Sequence, residues 1–394
     1  MMPDSNLDLP DPDPTARDHS RRVAAAIRSA IDTAGGAIPF AEYMRLALYA
    51  PGLGYYQAGA EKLGAGGDFV TAPEVSALFG EVIGRQLGET LAAAGGDTIL
   101  ELGAGTGRLA LTLLRALAAE HRLPTRYLIL EVSGDLASRQ RETLAADPEI
   151  SRRVEWIDRL PEQSFNGIIL ANEVADALPV ERFLWSADAA RRLGVKTTEA
   201  GFTWAEMDLS PELAVRIGTL GKRYAWTPPY ASEINPHLDA WIASLAAVLR
   251  RGVMLFIDYG LPEHEYYHPT RHRGTLICHF RQRAHEDPFR WPGLTDISAW
   301  VDFSALARAG TAAGLEVAGY TTQGNFLLEG GIGSAIGRAT GDIDRYRLAG
   351  EIKRLVLPDE MGETFKVLAL ARDCAAPSAV IARNLDERLV LGGR

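Results

Sequence analysis

The chain has 394 residues, 47% of them hydrophobic and 23% charged, enough for two or three domains or for one α/β core with large additions. Its 51 acidic against 41 basic residues give a formal charge of −10, so no overall field draws it to nucleic acid or to an anionic membrane. Two cysteines, Cys278 and Cys374, supply neither a disulfide framework nor a zinc spacing and suit a reducing, cytoplasmic location, and no apolar run reaches the roughly 18 to 20 residues of a membrane span.

Taken in order, Asp4 to Asp18 is acidic and proline-rich without a basic stretch, which reads as a disordered tail over residues 1–20 and not as a signal peptide. Helical spacing follows at Arg21–Thr33 and Phe40–Leu48, then a glycine-rich loop, Lys62 to Glu74, runs into an apolar helix from Val75 to Ala94. Residues 21–96 are therefore expected to form a helical N-terminal cap. From Ile99 the pattern alternates strand and helix, which predicts a mostly parallel sheet. Strands are expected at Ile99–Leu102, Tyr127–Glu131, Val154–Ile157 and Gly167–Ala171, with helices at Arg108–Ala119 and Leu136–Ala146 in the first crossovers. A β insertion over about 181–230 interrupts the core of 97–259, which resumes with helix Pro236–Leu249 and strand Val253–Ile257. Residues 260–302 form a loop-rich insertion or lid, and 303–394 complete the sheet with strands Leu315–Tyr320 and Phe365–Ala371.

The chemistry gathers at three places. Glu101-Leu-Gly-Ala-Gly-Thr-Gly107 ends the first strand in a glycine turn and opens a helix. Such a turn lets the backbone approach a ligand and presents free N–H groups to it. Its Glu-x-Gly-x-Gly-x-Gly pattern resembles the first motif of class I S-adenosylmethionine (SAM) methyltransferases. Gly105-Thr-Gly-Arg-Leu-Ala110 also satisfies a relaxed dinucleotide fingerprint, so a nicotinamide enzyme is a rival reading. Glu131, at the end of the second strand, is placed to accept from a ribose hydroxyl in either case. Asp158 stands where an adenine amine could be read, or is a surface acid beside Arg159. Asn172, Glu173 and Asp176 sit at the carboxyl edge of the fourth strand, and no Tyr-x-x-x-Lys proton carrier accompanies them. Five histidines lie between Gly260 and Pro288, but Pro262 and Pro269 break the helix they would need and four arginines stand among them, so no metal is expected. A cover over the substrate, or over apolar sheet surface, fits that segment.

Six blocks occur together in this order: Gly67-Asp-Phe-Val-Thr-Ala-Pro-Glu74, Glu101-Leu-Gly-Ala-Gly-Thr-Gly107, Asn172-Glu-Val-Ala-Asp-Ala-Leu-Pro-Val180, Asp258-Tyr-Gly260, Gly274-Thr-Leu276 and Val301-Asp-Phe303. They resemble the MidA family of SAM-dependent methyltransferases from about Phe40 to Leu370. The resemblance implies a class I, Rossmann-like seven-stranded α/β sheet with a helical N-terminal extension and inserted segments. It further implies S-adenosyl-L-methionine as cofactor and a protein client, since mitochondrial relatives act as assembly factors that methylate an arginine on a core subunit of respiratory complex I. Glu101, Gly103, Ala104, Gly105, Gly107 and Glu131 would then hold the cofactor, Asp68, Thr71 and Pro73 would line its mouth, and Asn172, Glu173 and Asp176 would face the methyl group. Val174-Ala175 are small where many relatives carry aromatics, which leaves the acceptor pocket's shape open. An arginine methyltransferase suits these acids, because a guanidinium keeps its proton until a carboxylate takes it. A non-catalytic assembly factor that retains the fold is the alternative.

Overall fold

The computed structural model describes residues 9–57 and 71–391. Seven strands make its central sheet: β1 (Thr98–Leu102), β2 (Arg126–Leu130), β3 (Val154–Ile157), β4 (Phe165–Asn172), β5 (Leu249–Leu261), β6 (Glu316–Thr322) and β7 (Phe365–Arg372). Their spatial order is β6-β7-β5-β4-β1-β2-β3. Strands β1 to β5 run parallel, and β7 enters antiparallel between β5 and β6. A short bridge, Val301–Asp302, pairs with the end of β5. This is the seven-stranded arrangement that the resemblance implied.

A parallel sheet covered on both faces needs near-continuous apolar strands. In β5, Val253, Leu255 and Ile257 enter one core layer while Met254 and Phe256 enter the other. The first layer is closed by helices Ala77–Ala94, Arg108–Ala119, Gln323–Glu329 and Asp342–Val356, and the second by Leu238–Val248 and Phe303–Ala312. Each large apolar side chain buried there contributes about 1.5 to 3 kcal/mol before the entropy of ordering is subtracted.

The segments outside the core, separate in sequence, share one apolar cluster. Val23, Ile27 and Tyr43 of the N-terminal helices pack with Val195 of the first insertion and with Cys278 and Ile297 of the second. Ile38–Pro39 pairs antiparallel with Ala190–Thr198, which fastens the cap to the first insertion.

Several boundaries differ from the sequence expectation. The first helix spans Pro14–Thr33 and not Arg21–Thr33, because Asp13 caps it by accepting from the Ala16 N–H at 2.9 Å and Pro14 suits the first turn; of the expected tail, residues 1–8 lie outside the described residues. The helix expected from Val75 is split at Ser76 into Ala72–Val75 and Ala77–Ala94. The first insertion extends to Ile234 and holds a helix, Pro211–Arg223, where only strands and turns were expected. The 260–302 segment carries a three-stranded sheet, Ile277–Phe280, Arg283–His285 and Asp296–Ser298. No helix among the described residues is long and apolar enough to cross a membrane.

Candidate active site

The strand order reverses at β1, which has β2 on one side and β4 on the other, all three parallel. The crevice beyond the carboxyl ends of β1 and β4 is thus a topological switch point, where open α/β sheets bind ligands. A cavity of about 260 Å³ opens there. Glu101, Gly103, Ala104, Gly105 and Glu131 line one side of it, Asn172 and Glu173 another, and Thr71, Pro73 and Glu74 reach it from the cap. Asp68 lies outside the described residues.

The glycine turn depends on backbone that other residues adopt only with strain. Gly103, Gly105 and Gly107 have φ of +59°, +55° and +83°. At Gly107 an added Cβ would also come within 3.2 Å of the Gln140 Cα. Gly107 does not itself line the cavity; it caps helix Arg108–Ala119. The Gly103 N–H donates to the Leu130 carbonyl at 3.1 Å, which ties the turn to β2.

Glu131 is held by two donors, the Ser133 N–H at 2.8 Å and Gln140 Nε2 at 2.9 Å. Gln140 Nε2 also donates to the Gly105 carbonyl at 3.1 Å, and its Oε1 accepts from Trp156 Nε1 at 2.9 Å. One amide thereby sets the acid and the glycine turn relative to each other. Sequence reading missed Gln140, which stands mid-helix and belongs to no motif. Burial raises the Glu131 pKa and pushes Glu101, which accepts from the Tyr127 hydroxyl at 2.8 Å, to about 7. Glu74 accepts from Thr106 Oγ1 at 2.5 Å, a link from the cap to the glycine turn. Asp158 is exposed and does not line the cavity.

Across the cavity, the end of β4 turns sharply. Glu173 takes φ +53°, and its N–H donates to the Ile257 carbonyl at 2.9 Å. A non-glycine residue in the left-handed region marks a place where the surroundings overrule local preference. Here Asp258 supplies the reason. Its Oδ2 accepts from the N–H groups of Val174, Ala175 and Asp176 at 3.2, 2.9 and 3.2 Å, and its Oδ1 from Tyr259 N–H at 2.9 Å. Glu173 Oε1 accepts from Asn172 Nδ2 at 3.2 Å and from the Ala72 N–H at 3.4 Å, while Asp176 Oδ2 accepts a short bond from the Tyr259 hydroxyl. Asn172 Oδ1 and Asp176 Oδ1 have no partner among the described residues. Neither Glu173 nor Asp176 forms an ion pair there. Asp176, 7% exposed, sits just behind the cavity surface. None of the 260–302 insertion lines the cavity among the described residues, but its Asp296 lies behind Tyr56, which does. Asp258, Asp296, Tyr49 and Tyr56 received no role from the sequence. Only Asp258, inside a quoted block, carried any signal. Among the described residues no group of three or more His, Cys, Asp or Glu is arranged to hold a metal ion.

Burial, then repulsion from Asp176, pushes Glu173 to about 8; burial, with the Asp296 charge adding to it, pushes Asp176 to about 7. Their ordinary values are 4.5 and 3.8, so between these limits the folded protein binds more protons than the unfolded chain. Stability contributed by the protonated pair is complete below about 4 and is lost as pH rises through about 7 to 8. Thermal melting of the ligand-free protein should therefore show a lower Tm on the alkaline side of that window than on the acid side. Glu173→Gln should shrink the difference, and an unchanged slope would contradict the assignment.

The switch-point cleft, the glycine turn and the acid at the end of β2 fit a nucleoside cofactor. Glu131 offers a carboxylate to the cavity at the end of β2, and the exposed Val132 and half-buried Leu136 offer it an apolar wall. With β7 inserted antiparallel, they define a class I SAM-dependent methyltransferase. Residues 82–321 match the family described as S-adenosyl-L-methionine-dependent methyltransferases. The protein arginine methyltransferase NDUFAF7, mitochondrial, of Danio rerio is 30% identical over 384 residues, covering 86% of this chain and 84% of the relative. Its Drosophila melanogaster homologue is 28% identical, covering 91% and 85%. A Burkholderia thailandensis methyltransferase-type protein, crystallised with S-adenosylhomocysteine, superposes with a TM-score of 0.90 at 43% identity, covering 95% of this chain and 98% of that one. The chain belongs to the MidA family of SAM-dependent methyltransferases, and SAM is its cofactor.

Proposed function

We propose that the protein methylates an arginine of a protein client in the cytosol, a subunit of respiratory complex I being the client to test first. One observation carries the acceptor chemistry: Glu173, half-buried on the cavity wall, and Asp176, buried behind it, are carboxyls without a cationic partner among the described residues. Buried acids are costly unless something neutralises them, and a guanidinium arriving edge-on does so with paired hydrogen bonds. The relatives named protein arginine methyltransferase support the same acceptor.

In this reading Glu131, Gly103 and Gly105 hold the cofactor's nucleoside, with Glu101, Ala104 and Gly107 shaping the turn. Thr71 and Pro73 border it. The bound cofactor supplies a methyl group carried on a sulfonium. Glu173 holds the acceptor guanidinium and takes the proton that its nitrogen gives up. Asp176, steadied by Tyr259 behind the cavity surface, adds negative charge to the subsite, and Asn172 sets Glu173 through its amide. A base with a pKa near 8 is well matched to neutral pH. The two free thiols support a reducing compartment.

The test is transfer of labelled methyl from SAM to complex I subunits made without this protein, followed by mass spectrometry of the product. Methylarginine in a single peptide is the expected result. Methyl on another residue type, or none while S-adenosylhomocysteine still binds, would replace this reading with another acceptor or with the scaffold function.

A further inference from the structure

Behind the cavity wall lies a carboxylate contributed by the second insertion. Asp296, on strand Asp296–Ser298, is only 3% exposed. Its Oδ1 accepts from the Tyr56 hydroxyl at 2.9 Å and its Oδ2 from Ser298 Oγ at 3.0 Å. Three residues on, the Ala299 N–H donates to the Asp176 carbonyl at 3.0 Å, so the inserted strand is fastened to the catalytic turn itself. Tyr56 lines the cavity and stacks on Tyr49, with ring centroids 5.4 Å apart and planes 25° apart. The Tyr49 hydroxyl donates to the Ala177 carbonyl at 2.9 Å, again on that turn. Both hydroxyls of this aromatic wall are therefore engaged, and the rings are fixed from behind.

We propose that Asp296 is a positioning and specificity-determining residue of the acceptor subsite: it fixes the Tyr56–Tyr49 wall and places a negative charge behind it, shaping the subsite for a flat guanidinium in preference to a compact ammonium. The inference rests on the arginine reading given above. A guanidinium is planar, weakly hydrated and able to stack on an aromatic face while its edge meets carboxylates. A lysine ammonium is a strongly hydrated point charge that gains little from a flat wall. Burial raises the pKa of Asp296 itself, while the hydroxyls of Tyr56 and Ser298 favour its charged form, and in that form it opposes ionisation of Glu173, Asp176 and Tyr259. An incoming cation relieves that opposition. The second insertion thus completes the acceptor subsite without touching the cofactor.

The experiment is calorimetric titration of the S-adenosylhomocysteine complex with methylguanidine and, separately, with methylamine. Asp296→Asn keeps the shape and an acceptor for Tyr56 but removes the charge; Tyr56→Phe keeps the ring and the charge but removes the bond. Wild type should prefer methylguanidine, and each variant should bind it about tenfold more weakly with a narrowed preference, as expected for loss of one charge-assisted interaction. S-adenosylhomocysteine affinity should stay at the wild-type value in both. Methylguanidine affinity and preference unchanged in both variants would overturn the inference while leaving the arginine reading in place. A wild-type complex that takes up neither cation would remove the arginine reading and this inference together.

Discussion

Glu173→Gln should lower kcat by about a thousandfold while S-adenosylhomocysteine binds as before, a size typical of losing a general base. The substitution is nearly isosteric. A glutamine Oε1 can still accept from Asn172 Nδ2 and from the Ala72 N–H, the two bonds that hold the carboxylate at 3.2 and 3.4 Å. The backbone at φ +53° is held by the Ile257 carbonyl and by Asp258, neither of which depends on the side-chain charge. What disappears is the proton acceptor and one of the negative charges that balance a guanidinium. Single-turnover transfer from SAM, with binding measured separately, separates the roles. Loss of turnover with intact binding supports a base; turnover within a few-fold of wild type would assign Glu173 to structure alone. The same measurement over pH should show kcat/KM of the wild type rising through about 8, the value to which burial and Asp176 push this carboxyl.

Contiguity decided what could be read from the sequence. The glycine turn and the Asn172–Asp176 block each place their chemistry within a few residues, and the strand before each makes its position at the sheet edge predictable. The core strands were legible because short apolar runs such as Val253–Ile257 recur in alternation with helical stretches, as a sheet buried on both faces requires. The aromatic wall was not, because Tyr56 and Asp296 meet across 240 residues and nothing local in either marks it as a partner. The shared cluster of the cap and two insertions was equally hidden, since each segment shows an apolar face but not what covers it. Two helices, by contrast, carried local signals that were overlooked. Asp13-Pro14 and Ser210-Pro211 are cap and first-turn pairs, and Lys222 and Arg223 close the second helix where cations are favoured. Acidic composition around the first and neighbouring strands around the second masked them.

The buried Asp258 holds the turn that carries Glu173 together from below, and Asp258→Ala should expose that role. Three consecutive N–H groups, of Val174, Ala175 and Asp176, converge on Asp258 Oδ2, and the side chain is 2% exposed. Removing the acceptor leaves these donors buried and unpaired, at about 1 to 3 kcal/mol each where water does not enter. The turn can recover them only by rotating, which moves Glu173 out of its left-handed conformation and Asp176 away from Tyr259. Both stability and turnover should fall, turnover by about a hundredfold or more, because a displacement of even about 1 Å in a positioned group has that effect. Asp258→Asn provides the discriminating comparison. Its carbonyl oxygen can still collect the three N–H groups, so the turn should persist and most of the turnover return, while its amide faces the Tyr259 N–H where Oδ1 now accepts. An order of wild type, Asn, then Ala in both Tm and kcat identifies Asp258 as the acceptor that builds the turn. If the alanine variant melted lower yet transferred methyl at the wild-type rate, the turn would owe its geometry to the β4–β5 pairing instead, and Glu173 would hold its place without help from below.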